Sequence, residues 1–191
     1  KSVALSYLFE KNDNIMEVIV NTGQHYDFNL SNIFLNDLKL PKHKYNLKVG
    51  SKSHAKQTAY ILDKLDNIID KENPDFILLY GDTNSTLSGA LVACKKKVKI
   101  VHVEAGLRSF NKCMPEEINR LLTDHVSDHL FVPSIISKNN LIREGIDKNK
   151  ITVTGDILKE ITKKYQNLIS HKFLETSFGV FPKKFILTTI H

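Results

Sequence analysis

The stretch 76–106, FILLYGDTNSTLSGALVACKKKVKIVHVEAG, decides the fold. Phe76 to Tyr80 is a short, continuous apolar run between Pro74 and Gly81-Asp82, and it reads as a buried strand. Thr83 to Cys94 follows with Leu87, Ala90, Leu91 and Cys94 at helical spacing. Val98 to Val103 is a second strand and ends at Glu104-Ala105-Gly106. Strand, amphipathic helix and strand in this order make a βαβ unit, whose strands are parallel.

The same alternation extends outward. Upstream, Met16 to Thr22 (MEVIVNT) reads as a strand running into Gly23, Asn32 to Leu38 as a short helix, and 40–53 as a loop. Ala55 to Ile69 is a helix, with Ala55, Thr58, Ala59, Leu62, Leu65 and Ile69 recurring at its period. Downstream, Pro115 to His125 is a helix with proline at its first position. Leu130 to Val132 is a strand, and Ser137 to Glu144 a helix closed by Gly145. Ile151 to Thr154 is a strand, Ile157 to Ile169 a helix, 170–184 a linker, and Phe185 to Ile190 a last strand. The pattern predicts an open, doubly wound α/β fold whose parallel sheet is covered on both faces.

Composition narrows the function. The 191 residues are 41% hydrophobic and 25% charged, which is ordinary for a globular chain. Cys94 and Cys113 cannot build a disulfide framework, which fits a reducing, cytoplasmic setting. No apolar run approaches the ~20 residues of a membrane span. The net charge is +6, yet only Arg108, Arg120 and Arg143 are arginines, and no basic stripe with interleaved aromatics marks a nucleic-acid surface. The cluster Lys95-Lys96-Lys97-Val98-Lys99 falls where a helix should end, and the helix dipole favours it there. A lysine excess still draws an anionic small molecule toward a cleft.

In an open α/β sheet, ligands bind beyond the carboxyl ends of the strands. Those positions hold Gly23-Gln24-His25-Tyr26, Gly81-Asp82-Thr83-Asn84-Ser85-Thr86, Glu104 to Ser109, and His191. Asp82 reads either as a helix N-cap or as an acid/base group. Glu104 is semi-buried beside Ala105-Gly106, which leave it room. It transfers protons if unpartnered and is silenced if it pairs with Arg108. His102, inside its strand, reads as a core histidine. Glu116 and Arg120 stand off the flank formed by Ile118, Leu121, Leu122 and His125. A first-turn carboxylate is favoured by the dipole whatever its role. His125 and His129 have metal-like spacing but lack a completing ligand set, so no metal is expected. Cys113 has no activating neighbour beyond Lys112, and no G-x-S-x-G elbow is present. Three carboxylates and at least one histidine at one sheet edge suit acid/base work on a small anion and leave the reaction unnamed.

These segments resemble the non-hydrolysing UDP-N-acetylglucosamine 2-epimerases of bacteria and archaea. The resemblance runs through Thr22 to Asp27, Gly81 to Thr86, His102 to Ser109 (HVEAGLRS), Met114 to Arg120 (MPEEINR), Asp124 to Phe131, Val153-Thr154-Gly155 and Leu187 to His191. It implies two Rossmann-like domains in a glycosyltransferase-B-like arrangement, with the active site in the cleft between them. The chain would be the amino-terminal domain over 1–169 without its first strand, a linker over 170–184, and the first strand of a second domain over 185–191. It implies interconversion of UDP-GlcNAc and UDP-ManNAc by elimination and re-addition of UDP, in cytoplasmic supply of cell-surface polysaccharide, without cofactor or metal. Asp82, Glu104 and Glu116 match the family's catalytic carboxylates, and His191 its histidine beside the diphosphate. Lys1 aligns with the lysine after a G-T-R-P-E loop. Arg108 reads as a holder or orienter of the carboxylates at the substrate site, and Gln24 and His25 resemble positions near a second UDP-sugar site in bacterial members. The implied partners are a UDP-sugar and a second copy of the chain, with neither nucleic acid nor membrane. Asp156 departs from the family's usual asparagine. Two alternatives stand beside this reading: a hydrolysing epimerase that releases UDP and ManNAc, and a non-catalytic UDP-sugar-binding remnant.

Overall fold

The strands form where the apolar runs predict them. The computed structural model describes residues 2–24, 43–165, 186 and 188. Within these, β3 (Phe76–Tyr80), β4 (Lys99–Val103), β5 (His129–Val132) and β6 (Ile151–Val153) make a four-stranded, all-parallel sheet in the order β3-β4-β5-β6. The register sets Tyr80 opposite Val103 and Val103 opposite Phe131, so the three strands end side by side. The short strands β1 (Val20–Asn21) and β2 (Tyr45–Asn46) pair separately, also in parallel.

Two upstream expectations are corrected. The strand expected over Met16 to Thr22 shrinks to Val20–Asn21, because ladder pairing begins only at Val20. Met16 is left 85% exposed. The loop expected over 40–53 contains β2, and Ser2–Phe9 is a helix (α1) that the sequence reading passed over. The expected helix 32–38 and linker 170–184 lie outside the described residues, as does strand 185–190 apart from residues 186 and 188.

Helix α2 (His54–Glu72) starts where the Ser53 side chain accepts from the Lys56 N–H, and it stops at Asn73 in the left-handed conformation, φ 42°. Its buried line is Gln57, Ile61, Leu65 and Ile69, whereas Ala55 and Ala59 are exposed. Helix α3 (Asn84–Lys96) packs at once on α2, β3, β4 and α4 (Pro115–Val126). It is therefore buried around much of its girth, through Leu87, Ser88, Gly89, Ala90, Val92 and Ala93, while Cys94 is exposed. Lysines close α3 as the dipole argument predicts. Lys97 caps it at φ 59°, and Lys96 bridges to Asp66 and Asp70 of α2.

Helix α4 inverts the simple amphipathic reading. Its buried residues are Glu117, Asn119, Thr123 and Asp124, while Ile118 and Leu122 are 38% and 46% exposed. The polar side turns inward because the loops at the strand ends offer it backbone donors and acceptors. Helix α5 (Ile135–Arg143) begins two residues before its expected start, because Ser134 rather than a later residue accepts the capping bond from the Ser137 N–H. Ala105, Leu130, Val132, Leu141 and Ile151 make the core beneath it. The chain divides into two units, Lys1–Ile157 and Leu158–His191. Helix α6 (Ile157–Tyr165) begins on the last residue of the first.

Candidate active site

The corner after β3 is built on Gly81, whose φ of 69° favours glycine. Its N–H donates to the Val103 carbonyl, which ties the corner to the end of β4. Asp82 follows. It is not the helix cap: Thr83 takes that place, accepting from the Thr86 N–H. With capping supplied by Thr83, the Asp82 carboxylate is held by Arg120 at 2.5 Å. Asn119 of the same helix donates to the Asp82 carbonyl at 2.9 Å.

Arg120 is itself shared. Its second terminal nitrogen lies 3.1 Å from Glu117. Glu117 is 1% exposed and also accepts from the Ser109 N–H and hydroxyl and from the Phe110 N–H. Burial pushes its carboxyl up, but the Ser109 and Phe110 bonds and Arg120 outweigh burial and hold it below the usual range. Sequence reasoning singled out Glu116 and missed Glu117. The signal was available. Met114 offers no cap, and an N3 glutamate commonly reaches back over the helix start. Glu116 is exposed and stands four residues before Arg120, on the same helix face.

Glu104 leaves β4 with φ 70°, a left-handed conformation that costs a non-glycine residue about 1–2 kcal/mol. The Phe131 carbonyl accepts from both the Glu104 and Ala105 N–H groups and fixes the turn. Ala105 and Gly106 do not open space beside it. Ala105 is fully buried, and a Cβ on Gly106 would lie 2.5 Å from the Ser137 carbonyl oxygen. Gly106 is there so that α5 can pack.

The expected alternative of a Glu104–Arg108 bridge is also corrected. Arg108 pairs instead with Asp124 at 2.7 Å and Glu144 at 2.6 Å, and its side chain is 1% exposed. It holds the buried Asp124 and the half-buried Glu144. His102 is a core histidine, as its strand position predicts, fully buried with Nδ1 2.7 Å from Asp124. Gln24 accepts from the Ser85 N–H and hydroxyl at 3.1 and 2.7 Å, fastening the end of β1 to the first turn of α3. Lys1, His25 and His191 lie outside the described residues. His125 bonds the Leu121 carbonyl and His129 the Thr152 hydroxyl, so the two histidines serve different neighbours. Among the described residues no cluster of three or more metal-ligating side chains forms.

The arrangement thus sets two carboxylates, Asp82 and Glu104, at the ends of paired strands. A third, Glu116, stands on the helix whose arginine grips the first. The family profile described as UDP-N-acetylglucosamine 2-epimerase matches residues 8–191. The chain belongs to the UDP-N-acetylglucosamine 2-epimerase family. It is 52% identical over 155 residues to the UDP-N-acetylglucosamine 2-epimerase of Methanocaldococcus jannaschii, covering 81% of this chain and 42% of that protein. It is 43% identical over 194 residues to the UDP-2,3-diacetamido-2,3-dideoxy-D-glucuronate 2-epimerase of Pseudomonas aeruginosa, covering 100% of this chain and 53% of the relative. A crystal structure of the M. jannaschii UDP-GlcNAc 2-epimerase in complex with UDP-GlcNAc and UDP superposes with a TM-score of 0.86 at 48% identity. It covers 88% of this chain and 46% of that one. The Rossmann-like parallel α/β class expected from the sequence is the class found. The chain spans about half the length of the curated relatives it matches.

Proposed function

We propose that the complete protein carrying this chain is a non-hydrolysing UDP-GlcNAc 2-epimerase, and that the chain contributes the carboxylate half of its active site. The observation that carries this is the placement of Asp82 and Glu104 beyond adjacent parallel strands, in a chain of this family. In the proposed reaction a base removes the C2 proton of UDP-GlcNAc while the C1–O bond to UDP breaks, leaving 2-acetamidoglucal and UDP. UDP then returns to C1, and an acid delivers a proton to the opposite face of C2. Inversion needs proton-transfer groups on both faces, which one carboxylate cannot supply. Asp82, Glu104 and Glu116 supply them. His191 and Lys1 attend the diphosphate, and Gln24 and His25 border a second nucleotide-sugar site. Arg108, engaged by Asp124 and Glu144, holds the loops at the substrate side of the sheet.

We place residues 1–169 in the first domain, 170–184 in a linker and 185–191 at the start of the second. The working form is a homodimer in the cytoplasm. The exposed thiols of Cys94 and Cys113 suit a reducing compartment, and among the described residues no helix is long and apolar enough to cross a membrane.

The test is an assay of the complete gene product with UDP-GlcNAc in deuterated water. UDP-ManNAc carrying deuterium at C2 is expected. Free ManNAc formed in step with UDP would replace this reading with a hydrolysing epimerase. UDP-sugar binding with neither product would replace it with a non-catalytic binder. The diacetamidoglucuronate substrate of the P. aeruginosa relative, run in parallel, assigns the sugar. The 191 residues alone should show no turnover.

A further inference from the structure

A carboxylate deep in α4 ties together the two loops that carry Asp82 and Glu104. Asp124 is 1% exposed, and each of its oxygens is used. Oδ1 lies 2.7 Å from His102 Nδ1. Oδ2 accepts from the Gly106 N–H at 3.1 Å and from Arg108 at 2.7 Å. The opposite ring nitrogen of His102, Nε2, lies 2.8 Å from the Gly81 carbonyl oxygen. Each ring nitrogen of His102 thus faces an oxygen, Asp124 on one side and the Gly81 carbonyl on the other. The Gly81 corner and the Gly106 loop are therefore referred to one carboxylate, directly on one side and through an imidazole on the other.

Core packing does not ask for this. Residue 102 sits opposite Leu79 in the sheet and is fully buried, a place where an aliphatic side chain fills space without desolvating a polar group. A fully satisfied buried network instead fixes one geometry. We propose that His102 and Asp124 are positioning residues of the active site, holding the Gly81–Asp82 corner at a set distance from the Glu104 turn. This rests on the proposed role of those two carboxylates.

Two amide substitutions separate the halves of the tether in the complete gene product. His102→Asn places an amide nitrogen near the position of Nδ1 and keeps the link to Asp124. His102→Gln places one near the position of Nε2 and keeps the link to Gly81. If the corner is what matters, turnover should fall at least about ten-fold further in H102N than in H102Q at similar KM, since small misplacements of reacting groups cost up to about 10² in rate. Exchange of the Gly81 amide, which donates to Val103, should be faster in H102N and near wild type in H102Q. Both variants should unfold at similar temperatures.

Equal turnover and equal exchange in the two variants would overturn the proposal and leave His102 as core filling. A wild-type protein without epimerisation would remove the functional reading, and exchange at Gly81 would still decide the tether. Should neither variant fold, Asp124→Asn serves. Faster exchange at both Gly81 and Gly106 supports the tether, and unchanged exchange at Gly81 overturns it.

Discussion

Arg120 and Asp82, 38 residues apart in sequence, form an ion pair at 2.5 Å. The arginine makes it while holding Glu117 with its other terminal nitrogen. A planar fork can serve two carboxylates at once, and an ammonium is a point charge that cannot do so in the same geometry. Arg120→Lys should lower turnover on the order of 10²-fold with a smaller change in KM, because Asp82 is displaced and binding is not lost. Steady-state kinetics on UDP-GlcNAc check this. A variant with wild-type turnover would show that the pair is incidental.

The three carboxylates should be separable by isosteric amides. Asp82→Asn, Glu104→Gln and Glu116→Gln should each reduce epimerisation by about 10²–10⁴-fold, the usual worth of a general acid or base. Deuterium uptake at C2, followed from UDP-GlcNAc and from UDP-ManNAc, should fall unequally in the two directions for the residue that serves only one face. Full activity in any one variant removes that residue from the proton-transfer set.

Glu117 makes stability depend on pH in a defined direction. Its native carboxyl titrates below the ordinary value of 4.5 because the Ser109 and Phe110 bonds and Arg120 outweigh burial. Folding therefore favours the ionised form. That contribution is complete above the unfolded value and is lost as pH falls through the depressed native one. Glu117→Gln should cost about 2–3 kcal/mol at neutral pH, the worth of hydrogen bonds to a charged group. The gap from wild type should close as the pH is lowered below 4.5. Urea unfolding across a pH series measures it, and a gap that stays constant into acid would contradict the assignment.

Two glycines with positive φ provide a matched pair. At Gly145 (φ 87°) an added Cβ meets nothing within 4 Å, so Gly145→Ala should cost only the left-handed penalty of about 1–2 kcal/mol. At Gly106 (φ 74°) it would lie 2.5 Å from the Ser137 oxygen and 3.0 Å from Leu141 Cγ. Overpacking adds about 1–3 kcal/mol there, so Gly106→Ala should be the more destabilising by that margin. Thermal unfolding of the two variants makes the comparison, and equal losses would show that α5 has room to shift.

The sheet was legible because its strands are continuous apolar runs, and Phe76–Tyr80 and Lys99–Val103 match their expected spans to within a residue. The strand near Met16 was overread because β-branched composition says nothing about whether a pairing partner is present, and pairing begins only at Val20. Buried faces were legible in part where burial is apolar: Leu65 and Ile69 of the expected stripe are buried, but Ile61 takes the place expected for Leu62, and Ala55 and Ala59 are exposed. They failed on α4, where Glu117, Asn119 and Asp124 go inward. Helical periodicity counts apolar side chains, and it cannot register a polar face whose partners are backbone groups of loops far away in sequence. Asp82 and Glu104 could be found from strand ends alone. The carboxylates that Arg108 holds could not, since Asp124 and Glu144 lie 16 and 36 residues further along.

Between Phe76 and Val153 the order of strands across the sheet is the order in which they leave the ribosome. Each new strand meets an edge already laid down by its predecessor, separated from it by one helix. Long-range closures, which slow folding, are thereby avoided through this half of the chain. The sheet that carries Asp82 and Glu104 can be assembled vectorially during synthesis, each βα unit serving as the template for the next.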